Sequence, residues 1–335
     1  MAVAQLNGGY SLPASKWFSN VTSIVKYVRN VNNLKTTSKA RKILESFYYD
    51  NVDYGKGIIS TYLLGPVPVN DLQKESTLLT PVEAAIAQEI ITIDKFKTAK
   101  VSNRDILTND AYTNGESVSQ MLAFIQSIPN YSLDRHMLLD VMIPELMNWV
   151  PGQESQKLEI DFISENGVNG ADLQAIKTLN VNAFAKEIKK LINNMQIPNS
   201  KYTDIATYTD PNDGVTQRNV ETSVEKEELV LYINDKYYTD LEADSLAKLY
   251  NKDEVSGMIP ENIIVLPESL FSGGNENTIG WLVQKNKFSY ADFYNIQFAF
   301  LDGSNLYNHL IVHKAYGSGT FKYRTGVKIT EKTSV

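Results

Sequence analysis

Two histidines four residues apart, His309 and His313, are the first residues whose type and spacing could do chemistry. On a helix such a pair shares one face and has a metal-ligand spacing. Here the run is His-Leu-Ile-Val-His, which lacks a glutamate after the first histidine, and its setting reads as a strand. Strand residues four apart share a face but stand about 13 Å from each other, so no metal is assigned. The third histidine, His136, falls in an amphipathic helical pattern and reads as interfacial or solvated. Asp210 to Glu221 has the length of a calcium loop, with Asp210, Asn212 and a glutamate at the twelfth position. Its fifth position is Gly214 and its sixth is Val215, where such a loop needs an oxygen ligand and then glycine. The segment therefore reads as a turn. Gly317-Ser318-Gly319 lacks both the third glycine and the strand-to-helix setting of a dinucleotide site, and the sequence has no Walker-type phosphate loop and no nucleophile elbow. Carboxylates are plentiful, but nothing in their placement singles out a pair for glycosidase-like work. No catalytic, cofactor-binding or metal-binding residue is assigned.

Composition narrows the classes further. The chain has 335 residues, 32 basic and 39 acidic side chains, a net charge of −7 and no cysteine. That length supports one large or two ordinary domains. Without cysteine there is no disulfide framework, thiolate metal site or thiol nucleophile. No apolar run approaches the roughly 18 residues of a membrane span, and no basic-then-apolar leader opens the sequence, so manufacture in the cytoplasm is expected. The charge is unevenly placed. Residues 1–44 hold Lys16, Lys26, Arg29, Lys35, Lys39, Arg41 and Lys42 and no acid, which is +7 and leaves −7 − 7 = −14 for the remainder. A basic arm on an acidic body suits contact with a neighbouring subunit or with nucleic acid, and equally a solvated basic helix face.

The elements that must position these residues follow from periodicity. Trp17, Val21, Ile24, Val25 and Val28 fall on one face of a first helix, and Ala40, Ile43, Leu44 and Phe47 on one face of a second beginning at Ser38. Whether these two form their own hairpin or lie across a neighbour stays open. From Tyr48 to Pro81 glycine, proline, tyrosine and β-branched residues favour extended hairpins and turns. Ile91, Ile93 and Phe96 alternate as a strand over 91–101. Thr113 and Glu116 form a capping box for a helix that stops at Pro129, and Ser132 opens the next, with Leu133, Met137, Val141 and Leu146 inward and Pro144 kinking or shortening it. Leu158 to Ile163 reads as a strand, and Gly167 to Gly170 as a turn at a domain junction. A helix from Asn182 to Met195 turns Phe184, Ile188, Leu191, Ile192 and Met195 inward and Lys186, Lys189 and Lys190 outward. The tail from Phe293 alternates as strands, with a hairpin turn over Tyr316 to Phe321.

The most specific wording lies between Glu228 and Tyr294. Leu229 to Ile233 is a buried strand, followed by a polar turn and a helix whose capping box is Thr239 with Glu242 and whose inward residues are Leu241, Leu246 and Leu249. The apolar strand Ile263-Ile264-Val265-Leu266 comes next, and Gly280 to Lys285 supplies another. In order and wording this segment resembles the strand–turn–helix in the axial domain of tailed-phage major capsid proteins, most closely those of small protein-primed podophages. The resemblance implies an α+β fold of the Hong Kong 97 type. It implies an N-terminal arm (1–48), an extended loop (49–90), a peripheral domain with spine helices (91–167), an axial domain (168–285) and C-terminal peripheral strands (286–335). The interruption at Pro129 departs from a single straight spine. By the same resemblance the chain is a major capsid protein and not an enzyme. It is expected to assemble with itself into hexamers and pentamers that enclose double-stranded DNA, in the virion, after assembly in the host bacterial cytoplasm. Scaffold, portal and head decoration proteins and non-specific DNA contact are the further partners implied, with no membrane. Two other readings of the sequence stand beside it: an encapsulin-like protein compartment, and a soluble hydrolase.

Overall fold

A computed structural model describes residues 38–49, 57–63, 65, 86–104, 127–164, 169–209, 217–241, 262–302 and 307–332. In chain order the elements are α1 (Ser38–Glu45), β1 (Ile58–Leu63), β2 (Ile86–Ile91), β3 (Lys95–Arg104), α2 (residues 127–147), β4 (Lys157–Ile160), α3 (Ala171–Met195), β5 (Thr207–Thr209), β6 (Gln217–Asn219), β7 (Leu229–Asn234), α4 (Asp235–Leu241), β8 (Ile263–Leu266), β9 (Thr278–Gln284), β10 (Phe288–Asp302), β11 (Tyr307–Thr320) and β12 (Gly326–Glu331). They fall into two compact units. One takes residues 1–58, 91–144 and 290–318, the other 59–90, 145–289 and 319–335.

The first unit holds a three-stranded sheet ordered β10-β11-β3. β3 runs antiparallel to β11, from Tyr307 opposite Arg104 to Tyr316 opposite Lys95. β11 carries the buried side chains Leu310, Val312, Ala315 and Tyr316. The expected strand over 91–101 is interrupted: residues 92–94 lie between β2 and β3, and Phe96 is 65% exposed rather than inward. The turn expected at Tyr316 to Phe321 is also displaced. β11 continues through Thr320, and the turn follows at residues 322–324. Gly317 serves a close approach instead, since a Cβ there would run into the Thr92 carbonyl oxygen.

α2 does not stop at Pro129. Residues 127–136 are helical across it, and Ser132, the expected start of a new helix, lies inside and donates its hydroxyl back to the Ile128 carbonyl, 2.9 Å away. Nor does Pro144 end the helix. Just ahead of it, Met137–Met142 adopts a π-helical turn in which the Ile143 amide donates to the Leu138 carbonyl, five residues back. A proline ring collides with the carbonyl four residues earlier in a regular helix, and the wider π register relieves that crowding, so the chain runs on as helix to Met147. Leu133, Met137 and Leu146 are buried as the periodicity requires. α1 packs against the π-helical turn. Ile43, Leu44 and Phe47 are buried, and the Tyr290 and Tyr49 amides bond the carbonyls of Phe47 and Tyr290. Residues 38–49, the end of the expected arm, are thus built into this unit.

The second unit is organised by a five-stranded sheet ordered β4-β12-β9-β7-β8. β7 is antiparallel to β9 and parallel to β8, while β12 is antiparallel to β9 and parallel to β4. Every residue of β7 is buried, as a strand covered on both faces requires. On one face Phe184, Ile188, Leu191, Ile192 and Met195 of α3 form one cluster with Leu229, Leu231 and Ile233 of β7, Leu282 of β9, and Val327 and Ile329 of β12. Each such side chain contributes about 1.5–3 kcal/mol by leaving water. On the other face Trp281 stacks on Phe271 with ring centroids 5.5 Å apart. Gly280, beside that Trp, lies so close to β7 that a Cβ would meet the Tyr232 carbonyl oxygen.

Several expectations shift here. α3 begins at Ala171, eleven residues before Asn182, while its inward and outward residues lie as the spacing requires. β4 ends at Ile160 instead of Ile163, where the Asn180 side chain bonds both the amide and the carbonyl of Ile163. α4 starts directly after β7 without a polar turn. Asn234, 1% exposed, accepts from the Lys236 amide at 3.0 Å, so Thr239 sits inside the helix rather than at its cap. Glu242, Leu246 and Leu249 lie outside the described residues, as do the first expected helix, the Thr113 capping box and the turn at Asp210 to Gly214. Strands β5 and β6, which flank that last turn, pair antiparallel. Lys157–Ile160 and Gly326–Glu331, expected with the peripheral domain, are strands of this five-stranded sheet.

Candidate functional site

The two histidines of β11 share one face, and each is paired across to β3. His309 Nδ1 lies 2.7 Å from the Ser102 hydroxyl and His313 Nδ1 2.6 Å from that of Thr98, matching the register of the two strands. Ile311 separates them on that face, with Lys100 opposite. Their ring nitrogens serve cross-strand hydrogen bonds, and among the described residues no three His, Asp or Glu side chains converge as a metal site would need.

His136 is the member of a more enzyme-like arrangement. Its Nδ1 lies 2.8 Å from Asp140 Oδ2, one helical turn on, and its Nε2 lies 3.3 Å from the Tyr316 hydroxyl. An acid–histidine–hydroxyl chain resembles a nucleophile relay in outline. The chemistry runs the other way, however. Burial, then the charges of Asp140 and Asp94, push the Tyr316 phenol above its ordinary pKa. A phenol held in its neutral form is a hydrogen-bond tether, here joining α2 to β11, and not an activated nucleophile.

The strongest polar cluster was invisible to spacing rules. Lys287 has no exposed surface. Its ammonium donates to Asp204 Oδ2 at 3.1 Å, to the Arg324 carbonyl at 2.7 Å and to the Phe321 carbonyl at 3.4 Å, so all three of its protons have acceptors. It also stands 5.0 Å from the Trp149 ring centroid. Asp204 in turn accepts from Trp149 Nε1 at 3.3 Å and, through Oδ1, from Gln156 Nε2 at 2.8 Å. Desolvation lowers the Lys287 pKa, and Asp204 opposes it. The cluster pins the turn after β11 to the segments at 149–156 and 200–204. It is saturated and closed to substrate, so its role is structural.

What remains is surface. β1 and β2 form a two-stranded sheet. The inner side of this hairpin is committed: Tyr62 and Ala87 pack on the Tyr208–Val220 cluster, and the Glu89 carboxylate accepts from the amides of Lys322 and Tyr323 at 2.9 and 3.3 Å. The alternate residues point out, leaving Ile86 60% and Ile90 53% exposed. The outer face of β2 thus presents Ile86 and Ile90 to solvent with Gln88 between them. No helix of the described residues is long and apolar enough to cross a membrane.

Comparison with known proteins accords with a surface-driven role. The sequence model of the Phi29-like phage major capsid protein family matches residues 33–320. No curated protein matches the chain. Among solved structures, the fold is similar to that in the "Capsid structure of Staphylococcus phage Andhra", with a TM-score of 0.59 and 11% identity, covering 98% of this chain and 88% of that one. It is also similar to the "Capsid structure of the Cyanophage P-SCSP1u", with a TM-score of 0.51 and 12% identity, covering 86% of this chain and 87% of that one. At such identities the likeness speaks for the fold, which is α+β of the Hong Kong 97 type.

Proposed function

Because the chain belongs to the Phi29-like phage major capsid protein family, we propose that its hairpin and its two compact units are the parts that build hexamers and pentamers of the shell. The protein is a major capsid protein of a tailed phage, a structural protein rather than an enzyme; it assembles with itself and resides in the virion capsid. In our reading the five-stranded sheet with α3 is the axial domain, drawn wider than 168–285 because β4 and β12 belong to its sheet. The three-stranded sheet with α2 is the peripheral domain. Residues ahead of α1 are the arm, and the hairpin within 49–90 is the extended loop that overlaps a neighbour. Assembly takes place in the host cytoplasm with scaffold, portal and decoration proteins as partners, and packaged DNA is touched without sequence preference.

The observation that carries this reading is the outward face of β2. Two isoleucines at i and i+4 on one strand face, both more than half exposed, forgo about 1 kcal/mol each until something covers them. A second copy supplies that cover many times over in a symmetric lattice, which turns weak contacts into a stable shell. The test is the double substitution Ile86→Asp and Ile90→Asp. The expected product is a folded chain, with the parent's thermal midpoint, that no longer yields shells by electron microscopy. Shells of normal size and number would remove the hairpin from the assembly contacts.

A further inference from the structure

The outer strand of the first unit's sheet is basic, whereas residues 45–335 as a whole are acidic. β3 reads Lys-Phe-Lys-Thr-Ala-Lys-Val-Ser-Asn-Arg, and neither it nor its partner β11 contains an aspartate or glutamate. Counting the flanking Asp94 and Asp105, residues 94–105 hold four cations and two anions, a net of +2. Residues 45–335 together carry −14. Lys95, Lys97 and Lys100 are exposed, and so is Phe96, at 65%, on the strand face it shares with Lys100 and opposite to that of Lys95 and Lys97. Lys95 donates to the Ser318 hydroxyl, a neutral partner, at 2.8 Å. Lys314, on the neighbouring strand, is buried and paired with Asp292 at 2.8 Å.

Lysines on an outer strand discourage uncontrolled edge pairing, which accounts for the cations but not for the phenyl ring. From the two together we infer that the exposed edge of β3 is a contact surface for an acidic face of a second copy of this chain, with Phe96 as its apolar anchor and Lys95, Lys97 and Lys100 as the charges that set its register. The inference rests on the shell-forming function. Charge complementarity selects the occupant, because every copy brings a strongly acidic body to a strand without acids. Phe96 selects protein over nucleic acid. Duplex phosphates offer a phenyl ring nothing to bury against, whereas aromatic residues are enriched where proteins meet.

Two measurements test this. Shells assembled from equal parts of ordinary and nitrogen-15-labelled full chain are treated with a carbodiimide that joins amines to carboxylates at zero length. Cross-linked peptides containing Lys97 or Lys100 joined to Asp or Glu are expected in mixed-isotope form, as only a link between copies produces. In parallel, Lys97→Glu with Lys100→Glu, and separately Phe96→Ala, are expected to keep the parent's thermal midpoint while shell yield falls at least tenfold. Lys189→Gln with Lys190→Gln, which removes two exposed lysines of α3, should leave the yield unchanged. Links confined to single copies, together with normal variant shells, overturn the inference and leave the shell function standing. Normal variant shells that hold less DNA overturn it in favour of phosphate as the partner. An ordinary chain that forms no shell even beside the phage's other head proteins overturns both.

Discussion

Lys287 Nζ and Asp204 Oδ2 stand 3.1 Å apart, with the lysine side chain fully buried and that of the aspartate 13% exposed. The pair joins chain segments 83 residues apart, and every proton on the ammonium has an acceptor. Removing one partner from such a pair leaves an uncompensated buried charge and costs about 3–5 kcal/mol. Lys287→Met is therefore expected to lower the stability of the second unit by that amount in denaturant unfolding. Lys287→Met combined with Asp204→Leu should recover part of the loss, since the desolvation of both charges goes with them.

Gly280 lies where β9 comes nearest to β7, and an added Cβ would meet the Tyr232 carbonyl oxygen. Main chain cannot step aside as a flexible side chain can. Gly280→Ala is expected to cost about 1–3 kcal/mol, the range for overpacking a well-filled site, seen as a lower thermal midpoint. An unchanged midpoint would mean that the sheet opens there at no cost.

Alkaline pH should weaken the fold through Tyr237. Its hydroxyl donates to Glu331 Oε2 at 2.6 Å, and burial, then that carboxylate, raises its pKa. The unfolded chain sheds this proton near pH 10, while the folded chain keeps it to higher pH. Between those values the folded state binds more protons, so stability falls as pH rises past about 10. Lys287, whose pKa is lowered, pulls in the opposite sense, so the comparison is between parent and Tyr237→Phe. The variant should lose less stability from pH 9 to pH 11 than the parent does.

The arm can be removed without unfolding the body only if the cut respects α1. Ile43, Leu44 and Phe47 are buried, so a deletion through Leu44 would take core with it. Deleting residues 1–37, which hold Lys16, Lys26, Arg29 and Lys35, is expected to leave the thermal midpoint within a few degrees and to block or misdirect assembly in electron micrographs.

Much of the second unit was legible because single elements announce themselves. The apolar runs at Leu229, Ile263 and Gly280 are strands at those places, and the inward residues from Phe184 to Met195 are inward, because burial imposes a period that survives any error in the ends. The start of α3 is hidden in the sequence because Thr178, Asn180 and Asn182 dilute the pattern, and Gly170 precedes it with no side-chain cap. Pro144 is expected to kink or shorten its helix, yet a π-helical turn absorbs it and the helix runs on to Met147; register changes of that kind leave no mark in composition. Gly317 between polar neighbours looked like a turn, whereas its lack of a side chain admits the Thr92 carbonyl. Lys287 carries no motif or spacing that marks it, and only the fold brings Asp204 and two carbonyls around it. The family resemblance, carried by residues 228–294, reached the function with no site residue to rely on, because assembly depends on faces and not on a constellation.

The most direct test of the central claim is electron cryomicroscopy of particles formed when the full chain is expressed with the phage's other head proteins. The account predicts closed shells whose wall is this chain, with Ile86 and Ile90 of each copy buried against a neighbour. Particles whose wall is another protein, or shells in which those two isoleucines face solvent, would contradict it.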